Sequence, residues 1–513
     1  MRWAVVAALT LLGAVLRLRL SGQSLFADEL STWWIVEGRS LRGVVATVAT
    51  DAEITPPLYF ALAWFGRRLG DAPELLRAPS WIAGIALIPL VYAVGERTVG
   101  RPAALVATAL TALGPFALYY AADARGYALM MAAVVLSTLA MLLAVDSGRR
   151  RWWVVHGVAV AAGVLSHYTS VFAFAAQLGW VLWAHPEARR SALAATAGAV
   201  ALFSPWTGGL LADLDSPTTQ ILAALSPFTW ASVRFSLTHW VIGYPAAIAF
   251  GLGDFPGVAA VGLLVLAAVL AAGGSAARAL RTSGGPRAAG VDRRVVLIVL
   301  LALSGPGATA LLDPLGVHLF SVRNLAASWP AAALAFAALL VAPRRRVAVA
   351  AVAIALAAFA VAAVQLSHPR FANPDYAGAA GFVDRQAGPR DVVIDATGEL
   401  SPGPATGLDV VLERPHRVLR AAAPEVRDRP FGFFDPVVRL PDAIRRAVAE
   451  AGANRVLLVS TRFPPSVVEA QIANERARAR RDARFPASHR LVDRRTFPGV
   501  LGVEVRVYAP RAP

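Results

Sequence analysis

The chain has 513 residues, 57% hydrophobic and 16% charged, which is too much apolar surface for a water-soluble globule of ordinary composition. Its net charge of +16 is carried by arginine alone, and those arginines sit in short clusters beside apolar runs, a pattern that marks membrane topology rather than nucleic-acid binding. The absence of cysteine excludes disulfides, thiol catalysis and thiolate metal sites, and the absence of lysine excludes a Walker A loop.

Apolar runs of about 17 to 21 residues recur along the chain, each long enough as a helix to cross a hydrocarbon core of ~30 Å. The first begins at Trp3 and is followed by Arg17 and Arg19 rather than a small-residue cleavage site, so it is expected to be retained. Arg97 with Arg101, Arg149 to Arg151, Arg189 with Arg190, the linker from Arg278 to Arg294, and Arg344 to Arg346 mark every second connection as cytoplasmic. About eleven spans follow, at 3–20, 78–97, 102–121, 126–145, 152–166, 170–185, 191–211, 255–275, 295–312, 324–342 and 347–366. The odd number places the N-terminus in the cytoplasm and residues 367–513 outside it. Pro56 to Leu69 is too short to cross and would invert every later loop, so it reads as a juxtamembrane helix, as does Arg234 to Phe250.

Beyond His368 the long apolar runs end. Asp391 to Asp395, Arg455 to Ser460 and Val503 to Tyr508 read as buried strands, and Tyr376 to Gln386 and Ala443 to Ala451 as amphipathic helices. The expected fold is an all-α polytopic membrane bundle over 1–366 with a small extracytoplasmic α/β domain over 367–513.

Polar residues concentrate in the outer loops 21–77 and 121–126. The first carries Phe26-Ala27-Asp28-Glu29 and Glu53-Ile54-Thr55-Pro56-Pro57-Leu58-Tyr59; the second carries Asp123-Ala124-Arg125-Gly126-Tyr127. Carboxylates and a guanidinium at a membrane interface suit transfer from a lipid-anchored phosphate donor to a hydroxyl: the hydroxyl needs a general base and the leaving phosphate a bidentate cation. His167 and Tyr168 open a span on the same side, and Arg323 opens another against the positive-inside trend, as Arg17 ends one. Asp28, Glu29 and Asp123 are the carboxylates that would bind Mg²⁺ or Mn²⁺ if they converge.

These motifs, with Ser166-His167-Tyr168-Thr169 and Ser321-Val322-Arg323-Asn324, occur in an order that resembles the bacterial GT-C glycosyltransferases of the protein-mannosyltransferase and aminoarabinose-transferase-like group, over about residues 1 to 345. The chain departs from that group's habit at Thr55, Asp123 and Asn324. The resemblance implies an inverting transferase of the bacterial plasma membrane. It would take a sugar from a polyprenyl phosphate to a lipid, glycan or protein hydroxyl, with no nucleic-acid partner. It further implies Asp28 as catalytic base, Glu29 as its neighbour in the motif, and Asp123 with Arg125 as the second-loop acid and phosphate contact; Tyr127, His167, Tyr168 and Arg323 are further substrate-binding candidates. The alternatives are a flippase for lipid-linked sugars, against which the acids' place in loops rather than mid-span argues, and a non-catalytic cell-envelope subunit.

Overall fold

The computed structural model describes residues 2–50, 53–216, 219, 228–243, 255–281, 292–398, 405–421, 438–462 and 484–511. A helix stands at each of the eleven expected spans. In chain order they begin with α1 (Arg2–Ser21), after which the first loop folds into three short helices, α2 (Asp28–Val36), α3 (Leu41–Val48) and α4 (Leu58–Gly66). Then come α5 (Ala78–Thr98), α6 (Arg101–Leu113) with α7 (Pro115–Ala121), α8 (Tyr127–Ser147), α9 (Arg150–Ser166), α10 (Ser170–Ala184) and α11 (Arg189–Phe203). After α12 (Thr207–Asp215) and α13 (Trp230–Val241) the bundle closes with α14 (Gly257–Arg281), α15 (Arg293–Leu312), α16 (Trp329–Val341) and α17 (Arg345–Leu366).

Among the described residues seven helices are long and apolar enough to cross a membrane, or eight if α6 and α7, bent by 55°, form one broken span. The protein is a multi-span membrane protein, but α10 and α11, with 15 residues each, are shorter than the spans 170–185 and 191–211 that the sequence suggested. The juxtamembrane expectation meets α4, whose nine residues reach only ~14 Å. Its Tyr59, Phe60 and Ala63 are buried in protein. Of the second such stretch, α13 covers the start, while residues 244–250 lie outside the described residues, as does most of the Arg278–Arg294 linker.

Helix ends sort onto two faces. At one, Arg294 donates to the Arg97 carbonyl at 3.0 Å and pairs with Asp146, Arg293 donates to the Ala184 carbonyl at 2.8 Å, and Arg278 to that of Ala342 at 3.0 Å. The arginine clusters thus gather at one end of the bundle. At the other, α1 ends, α5 and α8 begin, and the loops bearing the sequence motifs meet.

The break between α6 and α7 is built by Pro115, which has no N–H to give the carbonyl of Thr111 four residues earlier. The fully buried Arg17 fills the deficit: its guanidinium donates to Thr111 O at 3.0 Å, Ala112 O at 3.3 Å and Gly13 O at 3.0 Å. That accounts for an arginine at this unexpected end of α1 without a ligand.

Past Leu366 the chain forms α18 (Tyr376–Gln386), α19 (Gly407–Val411), α20 (Leu440–Ala451) and five strands, β1 (Val392–Ala396), β2 (Arg417–Arg420), β3 (Val456–Arg462), β4 (His489–Phe497) and β5 (Gly502–Pro510), in the order β2-β1-β3-β5-β4. The first three are parallel and the last two antiparallel. Val392, Ile394, Val456 and Leu458 pack on α20. The alternate residues Val393, Leu457, Val459, Val503 and Val505 join a single apolar core that continues through α18 into the bundle at Phe26 and Leu366. The three strands read from sequence are present; β2 and β4 are additional.

Arg17→Leu is expected to destabilise the protein by about 1–3 kcal/mol, because it strands carbonyls that Pro115 leaves open. Thermal melting in detergent measures it.

Candidate active site

The Phe26-Ala27-Asp28-Glu29 motif is a tight turn. Glu29 N–H donates to Phe26 O at 3.1 Å, and the Glu29 carboxylate accepts from Phe26 N–H at 3.1 Å. Ala27 takes φ 50° and ψ −122°, a positive φ that disfavours a residue with a Cβ. The turn delivers Asp28 as the first residue of α2.

Glu29 and Arg77 hold that turn. Arg77 Nε and Nη2 donate to the two Glu29 carboxylate oxygens at 2.6 Å each, and both residues are buried. The remaining Arg77 donors reach the carbonyls of Ser21 at 2.5 Å, Gln23 at 2.6 Å and Ser24 at 3.2 Å, so one guanidinium collects the end of α1 and the approach to the motif. Glu29 also accepts the N–H of Ala124 at 2.8 Å, which ties in the second loop. Glu29, expected among the substrate contacts, therefore has its carboxylate committed to Arg77 and two backbone donors.

Arg125, expected to contact phosphate, is similarly spent: both Nη atoms donate to Glu53, at 2.5 and 2.8 Å, and the guanidinium lies 5.5 Å from the Phe60 ring. Tyr168 turns to another cluster, where its hydroxyl is bonded to Asp213 and accepts from Trp206 Nε1 at 2.9 Å. His167 accepts at Nδ1 from the Thr169 hydroxyl at 2.9 Å, and burial, then the charges of Arg323 and Arg125, push its pKa down to about 3. It is neutral at physiological pH, a member of an aromatic ladder with Tyr127 (5.0 Å) that continues to Tyr120 (4.4 Å). Gly126 permits this approach, since a Cβ there would stand 2.5 Å from Ser166 O.

Asp28 and Arg323 differ from these. Arg323 Nη1 stands 3.8 Å from Asp28 Oδ2, and the two side chains keep 36% and 49% of their surface open, whereas the Arg77–Glu29 and Arg125–Glu53 pairs keep 7% or less. Arg323 is carried by a 3₁₀ segment, Val322–Ser328, fixed by Trp240 Nε1 donating to Leu325 O at 2.9 Å and Ser328 Oγ accepting Gly305 N–H at 2.8 Å. Tyr127 and Tyr120 lie within electrostatic reach of it.

Asp123 borders a small cleft of about 30 Å³ beside Gln23, Phe26, Glu29, Phe371 and Asn373. Burial, then the carboxylates of Glu29 and Asp28, push its carboxyl well above the usual range. Ser80 Oγ donates to the Asp123 carbonyl at 2.7 Å and fixes the loop. Among the described residues no three His, Cys, Asp or Glu side chains are grouped so as to hold a metal ion; Glu29, one of the three suggested ligands, is saturated by Arg77.

Sequence reasoning missed Arg77, Glu53 and Asn373. Arg77 carried a signal: like Arg17 and Arg323 it is an arginine at the end of the bundle remote from the arginine clusters.

Residues 55–208 match the family described as dolichyl-phosphate-mannose-protein mannosyltransferase. The segment holds the double proline, the second loop and the His167-Tyr168 turn, and the chain is similar to GT-C glycosyltransferases of this type. No curated protein matches the chain. Among solved structures, the archaeal oligosaccharyltransferase AglB from Archaeoglobus fulgidus, in complex with an inhibitory peptide and a dolichol-phosphate, aligns with TM-score 0.45 and 13% identity over 89% of this chain and 69% of that one. ArnT from Cupriavidus metallidurans bound to undecaprenyl phosphate aligns with TM-score 0.42 and 14% identity over 98% and 97%. The arabinofuranosyltransferase AftD from mycobacteria aligns with TM-score 0.41 and 18% identity over 100% and 42%.

Two outcomes follow. Arg77→Met leaves Glu29 buried without its cation and is expected to cost about 3–5 kcal/mol in thermal melting; adding Glu29→Gln recovers part of the loss. The folded-state pKa of Asp123 lies above its unfolded value of about 3.9, so its contribution to stability is full below that pH and is lost as pH rises toward the folded value. Asp123→Asn should therefore melt higher than wild type at about pH 8, and the gap should close near pH 4.

Proposed function

We propose that the protein is an inverting glycosyltransferase that moves a sugar from a polyprenyl-phosphate donor to a hydroxyl acceptor, on the side of the membrane away from the cytoplasm. The observation that carries this reading is the Asp28–Arg323 pair: a carboxylate and a guanidinium 3.8 Å apart, both partly open, where the Arg77–Glu29 and Arg125–Glu53 pairs of the same loops are buried. The family match over residues 55–208 supports the reaction class. The gathering of arginine clusters at the opposite end supports the sidedness, because arginine-rich connections favour the cytoplasm.

The chemistry needs two charges. Asp28 takes the proton of the acceptor hydroxyl as that oxygen bonds the anomeric carbon, and the bond from that carbon to the donor phosphate oxygen breaks in the same displacement, which inverts the centre. The departing phosphate keeps the electron pair and is held by Arg323, whose planar fork matches two phosphate oxygens. A positioned base contributes roughly 10²- to 10⁴-fold. Tyr127 and Tyr120 are buried and pack against each other in the core beside the site. Arg125 contributes by holding the loops through Glu53, and neutral His167 by packing on Tyr127. No step is assigned to a divalent metal.

The test is sugar transfer from a panel of radiolabelled polyprenyl-phosphate donors by membranes carrying wild type, Asp28→Asn and Arg323→Ala. Asp28→Asn is expected to lower kcat by about 100-fold or more at equal expression, and Arg323→Ala to lower kcat/KM for the donor by about 30-fold. Full activity in Asp28→Asn removes it as the base. A panel in which the wild type neither transfers nor hydrolyses any donor removes the transferase reading in favour of transport or scaffolding.

A further inference from the structure

The stretch that follows the last bundle helix returns to the motif turn. Asn373 donates its backbone N–H to Gln23 Oε1 at 2.8 Å and its side-chain amide to Ser24 O at 2.9 Å, and the same Nδ2 stands 3.4 Å from Glu29 Oε2. Four residues on, Ala377 N–H donates to Ser24 Oγ at 3.2 Å, and Tyr376 packs its ring 6.5 Å from that of Phe26. Asn373 thus addresses the two acceptors, Ser24 O and the Glu29 carboxylate, that Arg77 addresses from the other side.

The sheet holds Asn373 there. Val500 N–H donates to Ala372 O at 2.7 Å and Asp375 N–H to Pro498 O at 3.1 Å, so the β4–β5 turn clamps the chain on both sides of Asn373. Pro374 restricts Asn373 to extended backbone. Gly499, at φ 153°, makes the clamp close enough: a Cβ there would lie 2.6 Å from Pro374 Cα and 2.9 Å from Asn373 O.

We infer that Asn373 is a positioning residue for the reaction, and that the C-terminal sheet serves catalysis by holding Asn373 against Glu29 so that the strained turn presents Asp28 in register with Arg323. This rests on the transferase reading. Asn373 orients a base through its neighbour and so bears on kcat more than on donor affinity.

Full-length wild type, Asn373→Ala, Asn373→Asp and Gly499→Ala are compared in steady-state transfer with whichever polyprenyl-phosphate sugar the wild type uses, alongside thermal melting in detergent. Asn373→Ala is expected to lower kcat by about 10-fold. Asn373→Asp keeps the shape but sets a second carboxylate beside Glu29, and is expected to lower kcat by about 100-fold, the scale of a roughly 1 Å misplacement. Donor KM stays within about threefold and melting within about 5 °C of wild type, a split that loss of folded protein does not produce. Gly499→Ala, distant in sequence from every group that touches substrate, should resemble Asn373→Ala. Wild-type kcat in Asn373→Asp overturns the inference, as does a fall in activity matched by a fall in folded fraction. A wild type inert toward all donors overturns the transferase reading itself and the inference with it.

Discussion

The Arg77–Glu29 ion pair organises this end of the molecule. A buried guanidinium and a buried carboxylate are each costly to remove from water, and only dense hydrogen bonding offsets the cost. Arg77 spends its donors on Glu29 and on three carbonyls of residues 21–24, and Glu29 takes in the N–H groups of Phe26 and Ala124. The satisfied network joins the end of α1, the start of α5, the motif turn and the second loop at one point. Asn373 adds the sheet to the same acceptors. Asp28 follows the strained Ala27 directly and precedes Glu29, so its position is inherited from an interaction it does not make.

That arrangement separates charges by task. Arg17, Arg77 and Arg125 are engaged by carbonyls or carboxylates within the protein and give rigidity. Arg323 stands at a longer distance from an open carboxylate, and both members keep solvent-accessible surface. Chemistry that must bind an anion and free a base requires charges that can exchange partners, and a pair 3.8 Å apart is easier to part than one at 2.6 Å. In the proposed reaction, a donor phosphate arriving at Arg323 would compete with Asp28 for the guanidinium and so release the carboxylate for the acceptor hydroxyl.

Much of the architecture could be read in the sequence because the membrane simplifies it. Long apolar runs give helices, and arginine clusters give alternation, which the convergence of Arg97, Asp146, Ala184 and Arg294 at one end makes visible in three dimensions. The sheet was partly legible: β1 and β3 are short apolar runs buried almost throughout. The edge strands were not, since β2 reads Arg-Val-Leu-Arg and β4 carries three arginines and a mostly exposed pattern, which is how edges avoid unwanted pairing and also how they lose the alternation that identifies a strand.

The site was legible as a set of motifs but not as a division of labour. Glu29 and Arg125 have the residue types of ligands, and only their partners, Arg77 some 48 residues and Glu53 some 72 residues away in sequence, turn them into struts. No periodicity carries such a pairing, because Glu29 opens a short helix and Glu53 lies outside any helix or strand, and the partners of both are set by tertiary contact. Position relative to the membrane carries some of it. An arginine at the face away from the basic clusters runs against the usual bias and so needs a local reason, and Arg17, Arg77 and Arg323 each have one: an open carbonyl, a buried carboxylate, and a partly exposed aspartate. The first two reasons lie wholly within the protein. The third leaves a guanidinium with accessible surface, which is why the same sequence anomaly has a structural reason in two cases and carries the proposed phosphate contact in one.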